Sequence, residues 1–274
     1  MSSFSFNQRN IDSLIEISKD AGDAIMKVYH SNFLVKSKRD SSPLTEADIL
    51  SNQIICSGLS RLNPKIPILS EECSDISFSE RSKWTDYWLI DPLDGTKEFI
   101  NRNGEFTVNI AFISNHKPLF GLIHAPAINE TFWGSYEGSY FLNSDHISDK
   151  EKIRVLIDPS EPLKIIASRS HPSEKLSSLL QKLDVYKLSN VGSSLKFCEI
   201  ARSNSNIYPR FGPTSEWDIA AGDAILTFAG GGLLSLEGEI IKYNSKKDYI
   251  NPNFVAYSEK RLGDIILKKI KECG

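Results

Sequence analysis

The sequence predicts an α/β (α+β) fold of layered helices and sheets, on three observations. Its second half alternates short apolar strand patterns with helical ones, as expected where helices pack on a sheet. In its first half Phe106, Val108, Ile110 and Phe112 recur at every second position, the period of a strand with a buried face. Near both ends, apolar residues recur at helical spacing. A chain of 274 residues, 40% hydrophobic and 24% charged, can bury a substantial core as one large domain or two closely joined lobes.

Taken in order, Ile11, Leu14, Ile15, Ala21, Ile25 and Met26 give a packing helix over 10–30, with Asn10 as its cap. The polar stretch 36–43 is an exposed loop whose cations Lys36, Lys38 and Arg39 are either simply solvated or in contact with a phosphate. A second helix starts from the N-cap Thr45, runs through Ile49, Ile54, Ile55 and Leu59, and is stopped by Asn63-Pro64. Residues 66–69 read as a buried strand ending at Ser70-Glu71-Glu72, and 87–90 as another that delivers Asp91 to its end. Residues 106–112 and 119–125 pair as an antiparallel hairpin turning at 115–118. Short strands follow at 131–135 and 139–142, around a Glu137-Gly138 turn.

Turn formers between 151 and 162 place a boundary there, giving lobes 1–155 and 156–274 of one compact unit. The second lobe reads as strand 163–167, helix 173–183, strand 187–191 and helix 194–201. Next come a helix opening near Asp218, a strand pair within 233–243, a strand at 254–257 and an amphipathic helix bearing Leu262, Ile265, Ile266 and Ile270. No internal repeat or low-complexity segment interrupts this order.

The formal charge of -3 offers no basic excess for a nucleic-acid polymer, so an anionic substrate would have to be drawn in locally. Cys56, Cys73, Cys198 and Cys273 form no C-x-x-C pair and read as reduced thiols. The N-terminus lacks the basic flank and apolar run of a signal peptide, and no apolar stretch approaches the ~20 residues of a membrane span. A cytoplasmic protein is the expectation, with peripheral association on the inner face of a membrane left open.

The chemistry is concentrated in Asp91-Pro92-Leu93-Asp94-Gly95-Thr96-Lys97-Glu98-Phe99. Proline and glycine bend the backbone so that two carboxylates and a hydroxyl converge, and the bend exposes the Leu93 carbonyl. Hard divalent cations such as Mg2+ take such oxygen ligands, although an Asp-x-x-Asp-Gly string alone also suits a plain loop. Two further segments, Ser168-Arg169-Ser170-His171 and 191–196, sit where a strand meets a helix. Small hydroxyls and backbone N–H groups there either receive a phosphate or simply cap the helix.

The nine-residue string resembles the D-P-[ILV]-D-G-T signature of the lithium-sensitive, Mg-dependent phosphomonoesterases related to inositol monophosphatase. Its Lys97-Glu98-Phe99 continuation is similar to the branch acting on 3'(2'),5'-bisphosphate nucleotides. Glu216-Trp217-Asp218-Ile219-Ala220-Ala221-Gly222 resembles the second signature, W-D-x-A-A-G. The resemblance implies a layered αβαβα sandwich with a site for two or three Mg2+ ions between the lobes. It implies Glu71, rather than Glu72, with Asp91, Asp94, Asp218 and the Leu93 carbonyl as metal ligands. It also implies that Asp48 and Thr96 orient and deprotonate the attacking water; read alone, Asp48 is an ordinary first-turn acid favoured by the helix dipole.

By the same resemblance Glu71, Gly95, Thr96, His171, Ser193, Lys196, Arg210 and Asp218 contact the substrate, with Arg210 alternatively a structural ion pair. The implied reaction removes the 3'-phosphate of adenosine 3',5'-bisphosphate, in nucleotide salvage and sulfur metabolism, by a monomer or homodimer. Inositol monophosphatase or fructose-1,6-bisphosphatase activity on the same scaffold is the enzymatic alternative, and a metal-dependent nucleotide sensor the non-enzymatic one.

Overall fold

The structure, a computed structural model, describes residues 4–37, 43–143, 146–158, 161–170 and 173–272. The centre of the 36–43 loop, His171 and Cys273 therefore lie outside the described residues. The first half runs α1 (Gln8–Tyr29), β1 (Lys36–Ser37), β2 (Pro43–Leu44), α2 (Glu46–Leu62), β3 (Ile68–Ser70), α3 (Phe78–Arg81), β4 (Asp86–Asp94) and α4 (Thr96–Ile100). It continues through β5 (Thr107–Ser114), β6 (Lys117–Ala125), β7 (Glu130–Ser135), β8 (Gly138–Leu142) and β9 (Glu151–Ile153). The second half runs β10 (Leu163–Ser168), α5 (Glu174–Leu180), β11 (Tyr186–Val191), α6 (Leu195–Ala201), β12 (Ile207–Arg210), α7 (Glu216–Phe228), β13 (Gly232–Ser235), β14 (Phe254–Tyr257) and α8 (Lys260–Lys271).

A seven-stranded sheet follows the chain order β3-β4-β5-β6-β7-β8-β9, and a five-stranded sheet has the order β11-β10-β12-β14-β13. Side chains from opposite faces of each strand explain the layers. Trp88, Ile90, Val108, Ile110 and Phe112 join one core with α1 and α2. Their neighbours Tyr87, Leu89, Ala111 and Ile113 join another with α6 and α7. That second core extends to Tyr208 and Phe254 of the smaller sheet, whose far face meets α5 and α8 through Leu179, Val255, Ile266 and Leu267. The stacking is helix, sheet, helix, sheet, helix, as the resemblance implied. Because both faces of β4 are covered, its stretch Tyr87-Trp88-Leu89-Ile90 is a continuous apolar run. Small residues let α7 pack closely on the larger sheet: a Cβ on Gly121 of β6 would lie 2.2 Å from the Ala221 carbonyl oxygen.

Several local readings are corrected. Asn7, not Asn10, caps α1, accepting the Asn10 N–H at 3.0 Å, while the Asn10 side chain donates to the Ser5 carbonyl. Strand β4 does not stop at Asp91 but runs to Asp94 through a bulge, Asp91 pairing with Asn109 and Asp94 with Thr107. Pro92 lacks an N–H for the ladder, which suits it to the bulged position. No strand pair forms within 233–243: β13 pairs with β14 instead. The chain then leaves the sheet so that Ile241 and Tyr243 cover α7, with the Tyr243 hydroxyl donating to Asp223 at 2.8 Å. The turn between β5 and β6 is tighter than expected, at Asn115-His116, and the turn between β7 and β8 falls one residue earlier, at Tyr136-Glu137.

Candidate active site

The bulge in β4 and the first turn of α7 bring three carboxylates together. Between Asp91 and Asp94 the ladder loses register, so both acids emerge at the same end of the strand, and the Leu93 N–H donates to Asp91 Oδ1 at 3.1 Å. Asp218 is the third residue of α7, and its Oδ2 accepts the Ser215 N–H at 2.8 Å, which fixes the side chain at the helix start. One oxygen from each of Asp91, Asp94 and Asp218 lies within 4.8 Å of the others. Glu71 follows β3, where its N–H donates to the Ile90 carbonyl at 3.2 Å, and its carboxyl is hydrogen-bonded to that of Asp91.

Electrostatics show what this cluster needs. Burial, and then the charges of Glu71, Asp94 and Asp218, hold Asp91 well above the ordinary carboxylate range. Burial, then Asp94 and Glu71, do the same for Asp218. Asp94 is pushed up to about 6, chiefly by burial, with Lys196 and the Ser194 N–H opposing the shift. Four acids that repel one another and offer only oxygen fit hard divalent cations, whose charge would remove both penalties.

Asp48 stands behind this cluster on α2, almost fully buried. Its Oδ2 accepts both the N–H and the hydroxyl of Thr45, each at 2.7 Å, completing a capping box. Its Oδ1 faces the Thr96 hydroxyl at 3.5 Å, and that hydroxyl also lies 3.4 Å from the Leu93 carbonyl oxygen. Thr96 opens α4 immediately after Gly95, whose φ of 90° is the left-handed conformation that glycine favours. Thr96, which lines the cavity, thus links Asp48 to it.

The opposite wall comes from the second sheet and its helices. Lys196, buried on α6, donates to the Val191 carbonyl at 3.3 Å and to the Ser193 carbonyl, and lies 5.3 Å from the centre of the Tyr208 ring. Burial lowers its ammonium to about 8, a shift that Asp94 partly offsets. Arg210 donates to the Pro213 carbonyl at 3.0 Å, and its Nε is buried without a partner. Its positive charge also acts on Asp218, opposing the upward shift of that carboxyl. A cavity of about 250 Å³ joins the walls and is lined by Glu71, Asp91, Leu93, Asp94, Gly95, Thr96, Ser193, Lys196, Arg210 and Asp218.

Sequence reasoning placed Ser194 only within a segment that receives a phosphate or caps a helix, and did not single out Tyr208 or Thr214; all three line the same cavity. Ser194 is the most consequential, because its N–H donates to Asp94 Oδ2 at 2.6 Å and its hydroxyl to Asn109 Oδ1 at 2.7 Å. Its position beside Ser193 in a strand-to-helix turn was the available signal. Nothing local marked Tyr208, whose burial makes it look like core.

Comparison with known proteins places the chain among relatives of the same fold. A model described as the inositol monophosphatase family matches residues 7–274. The 3'(2'),5'-bisphosphate nucleotidase CysQ of Escherichia coli O6:H1 strain CFT073 is 43% identical over 246 residues, covering 89% of this chain and 98% of that protein. The protein of the same description from Buchnera aphidicola is 43% identical over 253 residues, covering 91% and 94%. Among solved structures, CysQ from Bacteroides thetaiotaomicron, described as a bacterial member of the inositol monophosphatase family, superposes with a TM-score of 0.81 at 35% identity. That match covers 93% of this chain and 99% of the other.

Proposed function

The chain belongs to the inositol monophosphatase family, and from that premise we propose that it is a Mg2+-dependent 3'(2'),5'-bisphosphate nucleotidase. The reaction is hydrolysis of adenosine 3',5'-bisphosphate to AMP and phosphate, serving nucleotide salvage and sulfur assimilation. The observation that carries this reading is the two-sided cavity, with a carboxylate cluster on one wall and Lys196 and Arg210 on the other. A substrate with two phosphates can place one against each wall. Residues 1–155 supply most of the acids and 156–274 supply Asp218 and the cations, two lobes acting as one catalytic unit.

Glu71, Asp91, Asp94, Asp218 and the Leu93 carbonyl would hold two or three Mg2+ ions. Bound there, the ions neutralise charge on the phosphoryl group and make a bound water more acidic. Thr96 orients the attacking water, and its proton passes through the Thr96 hydroxyl to Asp48 Oδ1. The water oxygen joins phosphorus, the bond from phosphorus to the 3'-oxygen breaks, and that oxygen takes a proton from solvent. Lys196, Arg210 and Ser193 bind the 5'-phosphate, the cations by charge-assisted hydrogen bonds, while Gly95 gives the 3'-phosphate close access to the backbone.

No helix among the described residues is long and apolar enough to cross a membrane. The test is phosphate release at saturating Mg2+ from adenosine 3',5'-bisphosphate, inositol 1-phosphate and fructose 1,6-bisphosphate. We expect a much higher kcat/KM for the nucleotide, with AMP as product. Preference for either sugar phosphate would transfer the site to the other branch of the family. Nucleotide binding without phosphate release would make the protein a sensor.

A further inference from the structure

A carboxylate outside the cavity ties the two walls together. Glu105 lies between α4 and β5, and its Oε2 accepts both Arg169 Nε at 2.6 Å and the Gly192 N–H at 2.7 Å. Its Oε1 accepts a second guanidinium nitrogen of Arg169 at 2.7 Å, and that nitrogen also donates to the Asn190 carbonyl at 2.6 Å. One side chain of the first half therefore holds the ends of both β10 and β11. The turn it grips lies directly on the first half: a Cβ at Gly192 would be 2.7 Å from Glu98 Cγ and 2.8 Å from the Glu105 carbonyl oxygen. Only glycine permits that approach.

The next residues show where the grip is transmitted. Ser193 adopts a φ of 46°, a left-handed conformation that a non-glycine residue keeps only when its surroundings fix it. The Ser194 N–H then meets Asp94, and the Ser193 carbonyl accepts from Lys196. A ligand acid and the cation of the opposite wall thus take their positions from the same clamped turn.

We propose that Glu105 is a positioning residue, which through Arg169 and the Gly192 N–H holds the 192–194 turn so that Ser194 orients Asp94 for metal and Lys196 faces the substrate. This rests on the metal-dependent phosphatase reading above. The bidentate Arg169 contact is the strong kind of charge-assisted bond, and Arg169 is exposed enough that losing it need not unfold the protein.

The experiment compares E105Q, R169Q and the double variant with E161Q, which removes a carboxylate from the surface pairs with Lys187 and Lys164. Mg2+ binding to the substrate-free protein is read by calorimetry, kcat and KM by phosphate release, and folding by melting temperature. E105Q is expected to weaken Mg2+ binding severalfold and lower kcat/KM by about tenfold, the lower end for a lost charged hydrogen bond. R169Q should do less, because Gly192 keeps its acceptor, and the double variant should be no worse than E105Q, because both changes open one clamp. If E105Q binds Mg2+ as tightly as E161Q does, Glu105 is a surface ion-pair partner and the proposal falls; it falls equally if losses in the double variant simply add, because Glu105 and Arg169 would then act separately and not as one clamp. Should the parent hydrolyse no bisphosphate, the functional reading fails by itself, while the calorimetry still decides the clamp.

Discussion

Two helix starts in this protein share one local design and are put to different use. Helix α2 opens with Thr45 and carries Asp48 as its third residue, and α7 opens with Ser215 and carries Asp218 at the same position. In both, the acid accepts the backbone N–H of the cap residue, at 2.7 and 2.8 Å. Beyond that bond they diverge. Asp48 takes a second donor, the Thr45 hydroxyl, and meets the cavity through Thr96, whereas Asp218 joins Asp91 and Asp94 directly. A carboxylate has two oxygens and a capping box occupies one, so end-stabilisation and chemistry are compatible roles for the same residue.

Chelation is the bluntest way to break this comparison, because it should silence both acids: exhaustive EDTA treatment is expected to abolish turnover, and Mg2+ to restore it. Full activity in the metal-free protein would leave Asp218 as a cap alone. Substitution then separates the pair. Asp218→Asn keeps an acceptor for Ser215 but removes a ligand charge, so kcat should fall about a thousandfold, with Mg2+ half-saturation shifted to higher concentration. Asp48→Asn and Thr96→Ala should each lower kcat by about a hundredfold while Mg2+ binding, read by calorimetry, stays within about twofold of the parent. Equal loss of metal affinity at Asp48 and Asp218 would erase the distinction drawn here.

The sequence made the shared half of this design legible and hid the divergent half. Thr45 and Asp48 are a cap and a first-turn acid on sight, and the Asp91-to-Thr96 string announces a bend rich in oxygen. Those are local patterns, set by residues a few positions apart. The Ser194 N–H on Asp94 joins residues 100 apart, and the grip of Glu105 on Gly192 spans 87, so neither leaves a periodicity to read. The error at 233–243 has the same origin. Ile241 and Tyr243 alternate as strand residues do, yet their apolar faces serve α7 rather than a neighbouring strand. Burial supplies the pattern in both cases, and only the long-range partner decides the structure.

A smaller effect concerns the metal-free protein. Asp94 sits above its ordinary value of 3.8, at about 6. A carboxyl with a raised folded-state value favours folding only while protonated, so its contribution is complete below 3.8 and is lost as pH rises through about 6. Asp94→Asn should therefore gain stability relative to the parent between pH 4 and 7, on the order of 1–2 kcal/mol, in denaturant titrations with EDTA. His124, lowered to about 4 by burial, acts in the opposite sense, losing stability as pH falls below 6.5, but it is common to both proteins and cancels. A parent and variant with parallel pH profiles would mean that Asp94 is not destabilised by its burial.

The smallest expected difference is the most direct test of the two helix starts, because it removes the cap residue and leaves both acids in place. Thr45 uses its hydroxyl twice, accepting the Ala47 N–H at 3.2 Å and donating to Asp48 Oδ2 at 2.7 Å. Ser215 holds Asp218 through its backbone N–H, which a substitution cannot remove. Thr45→Ala should cost about 1 kcal/mol of stability, the usual value for a lost N-cap, and should also lower kcat modestly, because Asp48 loses one of the two donors that aim it at Thr96. Ser215→Ala should leave Mg2+ affinity and kcat unchanged, with a stability loss at the lower end of the capping range, roughly 0.5 kcal/mol. Denaturant melts and Mg2+ titrations on both variants measure this. If Ser215→Ala weakened metal binding, the Ser215 hydroxyl would be orienting Asp218, and the two helix starts would differ in position alone.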